Sequence, residues 1–224
     1  MRTYIFMINT LIGLIMFSIV GTTNVGTADF SKQYTLSQDN FSLEERYSNT
    51  FVNDVFKDNI LLTLKYLNGD VKKSGDIKWG DIEKPFSFEF ALKPGEVFAF
   101  HEDVLPEYQG EVVKKTNAHF NLADGFKSDG YLVGDGVCHL ASLMNLAAQK
   151  AGLEVKAPTS HEFANIPQIP KEYGTSIYYY PGQHSSNAMQ NLYIKNNKNN
   201  EITFKFDYDG KDLKISIIEL ETAL

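Results

Sequence analysis

Cysteine is nearly absent. Cys138 stands alone among 224 residues, which excludes an internal disulfide framework and a cysteine-rich zinc knuckle. An excess of positive charge is missing too: 21 Lys and Arg face 28 Asp and Glu, for a formal net charge of −7. A nucleic-acid binder needs a basic face to neutralise phosphates, so no nucleic-acid partner is expected. No paired ligand spacing such as His-x3-His occurs, and neither a metal nor another cofactor is expected. The chain also has no internal repeat and no low-complexity tract. Aromatic residues, in contrast, are abundant: 16 Phe and 12 Tyr within a chain that is 43% hydrophobic describe a globular protein with a large core.

One apolar run is long enough to matter for compartment. Tyr4 to Val20 is interrupted only by Asn9, Thr10 and Ser18, with Arg2 before it and a polar stretch to Ala28 after it. Its length lies between a cleavable signal and a spanning helix. Residues 1–28 are therefore expected to be a signal peptide cut after Ala28 or a membrane anchor, with the rest extracytoplasmic in either case. No cysteine follows the run, which excludes a bacterial lipoprotein anchor.

The remaining chain divides into an N-terminal helical region with a connector, 29–85, and a second region, 86–218. Ser42 and Glu45 have capping-box spacing, and Val52, Phe56, Ile60, Leu64 and Leu67 recur at helical intervals up to Gly69, predicting a helix near 42–67. From Phe86 the period becomes two through Phe88, Phe90 and Leu92. Lys93-Pro94-Gly95-Glu96 is a turn signal, and Phe98 and Phe100 resume the alternation. Ile202 to Tyr208 and Leu213 to Ile217 alternate about Asp209-Gly210, predicting a terminal hairpin. Further strands are expected at Thr175–Tyr180 and Leu192–Lys195. The fold class is α+β, a mostly antiparallel sheet packed against a central cysteine-bearing helix, with an N-terminal helical segment.

Candidate chemistry concentrates at Cys138. Gly134-Asp135-Gly136-Val137 leads into it, and Leu140, Leu143, Met144, Ala147, Ala148 and Ala151 mark a helix face closed by Gly152. A cysteine at a helix amino terminus is stabilised as thiolate by unpaired N–H groups and the helix dipole. Gly134 and Gly136 are expected to let substrate approach the backbone, while Ser142 and Asn145 form a polar wall above the cysteine. A thiol nucleophile needs a base, to be sought among His101, His119, His139, His161 and His184. Adjacent helix positions diverge by about 100°, so His139 is expected to face away or toward the rim. His161 lies in a loop free to fold back.

Three ordered motifs carry a resemblance. Phe90-x-Leu92-x-Pro94-Gly95-Glu96-x-Phe98-x-Phe100 resembles the opening motif of the VanW family of bacterial envelope proteins. Gly134-x-Gly136-x-Cys138 with Ser142, Ala147, Ala148 and Ala151-Gly152-Leu153 resembles its central cysteine helix. Pro181-Gly182, Asn187-Ala188 and Asn191 to Asn196 resemble its closing motif. The family first became known from a vancomycin-resistance cluster, and some members have been assigned L,D-transpeptidase activity. The resemblance implies a cysteine acyl-transfer enzyme acting on peptidoglycan stem peptides, with Cys138 as nucleophile and His161 as proton shuttle. Asn187 takes the place of a carboxylate that orients the histidine, and Gly134, Gly136, His139, Ser142 and Asn145 are substrate-binding. The chain departs from the family at His139, where glutamine is usual, and at Pro158, where an arginine is usual. The rival expectation is a non-catalytic envelope module that binds peptidoglycan or another surface partner, with Tyr178 to Tyr180 as contacts.

Overall fold

A computed structural model describes residues 32–221; the expected signal or anchor at 1–28 lies outside them. Among the described residues no helix is long and apolar enough to cross a membrane. The elements are β1 (Lys32–Ser42), α1 (Thr50–Asn68), α2 (Trp79–Ile82), β2 (Phe86–Leu92), β3 (Val97–Ala99), β4 (Val112–Lys115), α3 (Val137–Lys150), β5 (Glu154–Lys156), α4 (His184–Met189), β6 (Tyr193–Lys195), β7 (Glu201–Tyr208) and β8 (Asp212–Glu221). They form two four-stranded sheets, ordered β1-β8-β7-β2 and β4-β3-β6-β5. Among the described residues, only the β3–β4 pair is parallel.

The larger sheet follows from the period-two runs. Phe90 lies directly opposite Phe204 and Phe88 opposite Phe206, and both pairs stack, with ring centroids 5.0 and 4.9 Å apart. Such pairs contribute about 0.5–1.5 kcal/mol each beyond their buried area. The turn after β2 forms as expected, with the Glu96 amide donating to Lys93 O at 3.0 Å and Gly95 at φ 82°. It carries the chain from one sheet into the other instead of closing a hairpin. Helix α3 packs on β1 and β8 of the larger sheet, on β5 of the smaller one and on α1. The cysteine-bearing helix is thereby central to the core, as the fold class required.

Three local expectations are corrected. The first helix starts at Thr50, capped by Asn49, whose side chain accepts from the Val52 amide. Ser42 instead ends β1, and its hydroxyl accepts from the Glu44 amide in the bend that follows. That bend is held by Asn53, whose side chain accepts from the Arg46 and Tyr47 amides and donates to Leu43 O. Strand β1 itself was not expected, because its residues are largely polar. Pairing with β8 along ten positions makes it a strand, and the Ser37 hydroxyl ties it to Ala147 O on α3. Thr175–Tyr180, expected as a strand, makes only an isolated bridge, Thr175 to Ser160. Side chains of α3 occupy the backbone groups that a ladder would need, and this arrangement builds the site.

Candidate functional site at Cys138

Cys138 occupies the first turn of α3. Gly136, at φ 95°, is the residue before the helix, and a Cβ there would lie 2.4 Å from Phe56 O of α1. Gly134, at φ 85°, would place a Cβ 2.8 Å from Phe120 O. Both glycines therefore serve close packing of the chain on itself, and both also line the cleft that holds the thiol. The Val137 and Leu140 amides are taken by the carbonyls of Gly134 and Gly136, leaving the Cys138 and His139 amides as the donors of the first turn.

The expected polar wall is a row of fasteners. Ser142 donates to Cys138 O at 2.7 Å and accepts from the Thr175 amide at 2.8 Å. Asn145 donates to Tyr173 O and to Thr175 Oγ1. Both side chains are fully buried. Together they bolt the 173–177 segment along α3, and the sequence continues the row with Cys138. The Ile177 amide donates to Cys138 Sγ at 3.3 Å, and the thiol lies 3.5 Å from Ile177 O.

This setting reverses the expected ionisation. Burial pushes the Cys138 thiol up to about 11, against the opposing pull of the Ile177 amide, and the Asp135 carboxylate adds to the rise. A helix amino terminus favours a thiolate, but desolvation outweighs it here. Burial also raises the Asp135 carboxyl to about 6, with Asp129 contributing.

Cys138, His139 and His161 line one cleft of about 320 Å³, together with Asp135 and Arg46. Exposed Phe163, Tyr178 and Leu132 also line it. His139, expected to face away or toward the rim, is buried in the wall. Its ring meets Phe56 edge-on at 4.8 Å and lies 6.2 Å from that of His161. Burial first, then the Arg46 and His161 charges, lower His139 to about 3. His161 is placed by the bond from its amide to Gly174 O, and burial lowers its ring as well. The Nδ1 atoms of both rings are buried without a hydrogen-bond partner.

Asn187 is not brought to His161. Its amide donates to Asp103 Oδ2 at 2.6 Å and to Tyr180 O, and its carbonyl accepts from the Tyr180 amide. It organises the turn into α4, so the orienting role that the resemblance assigned to it has no counterpart in these bonds. Arg46 was missed by the sequence reading. It lies outside every motif and reaches the cleft only because the Asn53-held bend turns it inward. A lone arginine in a polar stretch carries no signal of burial.

The family model of VanW like protein matches residues 89–218, more than half of the chain. The chain belongs to the VanW-like family. No curated protein and no solved structure matches it. The matched region begins inside β2 and ends inside β8. It thus contains Cys138, His139 and His161, whereas Arg46, β1 and α1 precede it.

Proposed function

We propose that this VanW-like protein is an exported cysteine acyl-transfer enzyme of the cell envelope, acting on peptidoglycan stem peptides in the manner of an L,D-transpeptidase. The observation that carries the reading is the convergence of the only thiol and two imidazoles, each with a buried Nδ1 that has no hydrogen-bond partner, on one cleft at a helix amino terminus. A thiol near 11 beside imidazoles held below their usual range describes a neutral resting pair. Proton transfer then accompanies attack and does not precede it. The Cys138 sulfur bonds to the stem-peptide carbonyl carbon as its proton passes to His161. The free amides of Cys138 and His139 stabilise the oxyanion. The C–N bond breaks, the departing amine takes the proton from His161, and a thioester remains. An acceptor amine attacks that thioester, returns a proton through His161 and restores the thiol. Because Ile177 holds the sulfur, substrate binding must loosen the Ile177 contact for attack to occur.

The test is to incubate the purified chain with a disaccharide–tetrapeptide and follow it by intact-protein mass spectrometry. The expected result is an acyl adduct on Cys138 and a cross-linked product, with neither in Cys138→Ser. A folded wild-type chain that binds the tetrapeptide and forms no adduct would remove the enzymatic reading. That outcome would instead support a non-catalytic peptidoglycan-binding module, a second reading favoured by the bonds that tie the thiol to Ile177. Alkylation by iodoacetamide provides a second check. Its rate in the free protein should keep rising with pH toward about 11, without the plateau of an activated thiolate.

A further inference from the structure

Arg46 is 1% exposed and forms part of the wall of the Cys138 cleft. Its guanidinium has only neutral acceptors: Nη1 donates to Pro167 O at 3.2 Å and Nη2 to Gln168 Oε1 at 2.5 Å. Nε is buried with no partner at all, and no carboxylate forms an ion pair with the group among the described residues. A guanidinium presents five N–H donors in a planar fork suited to two-point binding of a carboxylate. Burying such a charge unpaired is costly, and structures compensate it with an opposite charge. Here the only opposite charge that acts on it is Glu45, which raises its pKa through space against burial and forms no ion pair with it. Burial lowers Arg46 only to about 10, so it keeps its proton at neutral pH. His139 and His161, the other basic side chains of the cleft, are held toward their neutral forms, and Asp135 is its acid. Arg46 is thus the fixed cation of the cleft, in the same cavity as the thiol.

We infer that Arg46 is the carboxylate-recognition residue of the Cys138 cleft, selecting peptides that bring a free carboxylate into it. This deepens the acyl-transfer reading by naming a feature of the substrate, and it rests on that reading only for the use made of the bound peptide. The recognising residue comes from the segment before α1, outside the region that the family model matches, so this selectivity belongs to this chain's N-terminal region.

The test reads binding without turnover. Nα-acetyl-dialanine and its C-terminal amide are compared for their ability to slow alkylation of Cys138 by iodoacetamide in the full chain. The acid should protect at a concentration at least about tenfold lower than the amide, as expected when a charge-assisted pair is lost. Arg46→Met should abolish the difference by weakening the acid alone. Arg46→Lys, which keeps the charge and loses the fork, should retain part of it and guards against a folding defect in Arg46→Met. Equal protection by acid and amide, no protection by either, or a preference that survives in folded Arg46→Met would overturn the assignment. Protection by inorganic phosphate where the peptide acid gives none would overturn the carboxylate as ligand. If the acid is preferred and no adduct forms with the tetrapeptide, the carboxylate subsite stands while the acyl-transfer reading falls.

Discussion

Around Cys138 the two histidines form no ion pair with a carboxylate, whereas His119 contacts two carboxylates and His184 one. His119 Nε2 lies 3.1 Å from Glu102 and Nδ1 3.1 Å from Asp124, and His184 Nδ1 lies 2.7 Å from Asp103. Those pairs are partly exposed, whereas His139 and His161 are nearly covered. Tyr178 and Tyr179 connect the two regions: the first lines the cleft, and the second donates to Glu102 at 2.9 Å and packs on His119. The same side chain thus acts as a surface ion-pair partner in one place and as a desolvated imidazole beside a thiol in the other. A neutral imidazole can accept a proton. The cleft pair has the character needed for proton transfer.

The largest expected effect separates the regions by activity. His161→Ala should lower the rate of adduct formation by about 10²–10⁴-fold, while His184→Ala should leave it near wild type. Equal losses in the two variants would remove the distinction.

The next effect separates them by pH. His139 is held at about 3 in the fold against about 6.5 in an unfolded chain. Below 6.5 the unfolded state binds the additional proton, so stability is full above that pH and falls as the pH drops toward 3. At about 1.4 kcal/mol per pKa unit, the loss should reach about 4–5 kcal/mol by pH 3. His139→Gln should flatten much of that slope in denaturant titrations across this range. Some slope should persist, because His161 is shifted in the same direction. An unchanged slope in His139→Gln would mean that its ring is charged in the fold.

The smallest effect concerns Asn187, which belongs by its bonds to the outer region. Asn187→Ala leaves Asp103 and the Tyr180 backbone short of partners and should cost about 1–3 kcal/mol of stability. The pH dependence of Cys138 alkylation should not change. A shift in that profile would return Asn187 to the thiol site.

Much of this architecture was legible because it depends on local pattern. The alternation through Phe86–Leu92 and Ile202–Ile217 needs only one buried face to become strands, and Gly69 ends α1 by adopting a left-handed conformation. The central motif and the apolar helix face likewise located Cys138 on α3. Where local signals competed, the sequence misled. Ser42 and Glu45 have the spacing of a helix start, yet the helix begins at Thr50 because Asn53 organises the bend before it. Thr175–Tyr180 has strand composition, yet Ser142 and Cys138 take its amides.

By itself the sequence determined the central and C-terminal strands, the cysteine-bearing helix, the family and the position of the thiol, since each rests on residue type and spacing along the chain. Only the tertiary structure decided the chemistry of the cleft. Ionisation depends on what surrounds a group in space: packing around Cys138 overrides the helix terminus, burial neutralises His139, and a bend distant in sequence brings Arg46 to the thiol's cavity without an ion-pair partner. Desolvation and charge proximity act through space, and linear spacing does not encode them.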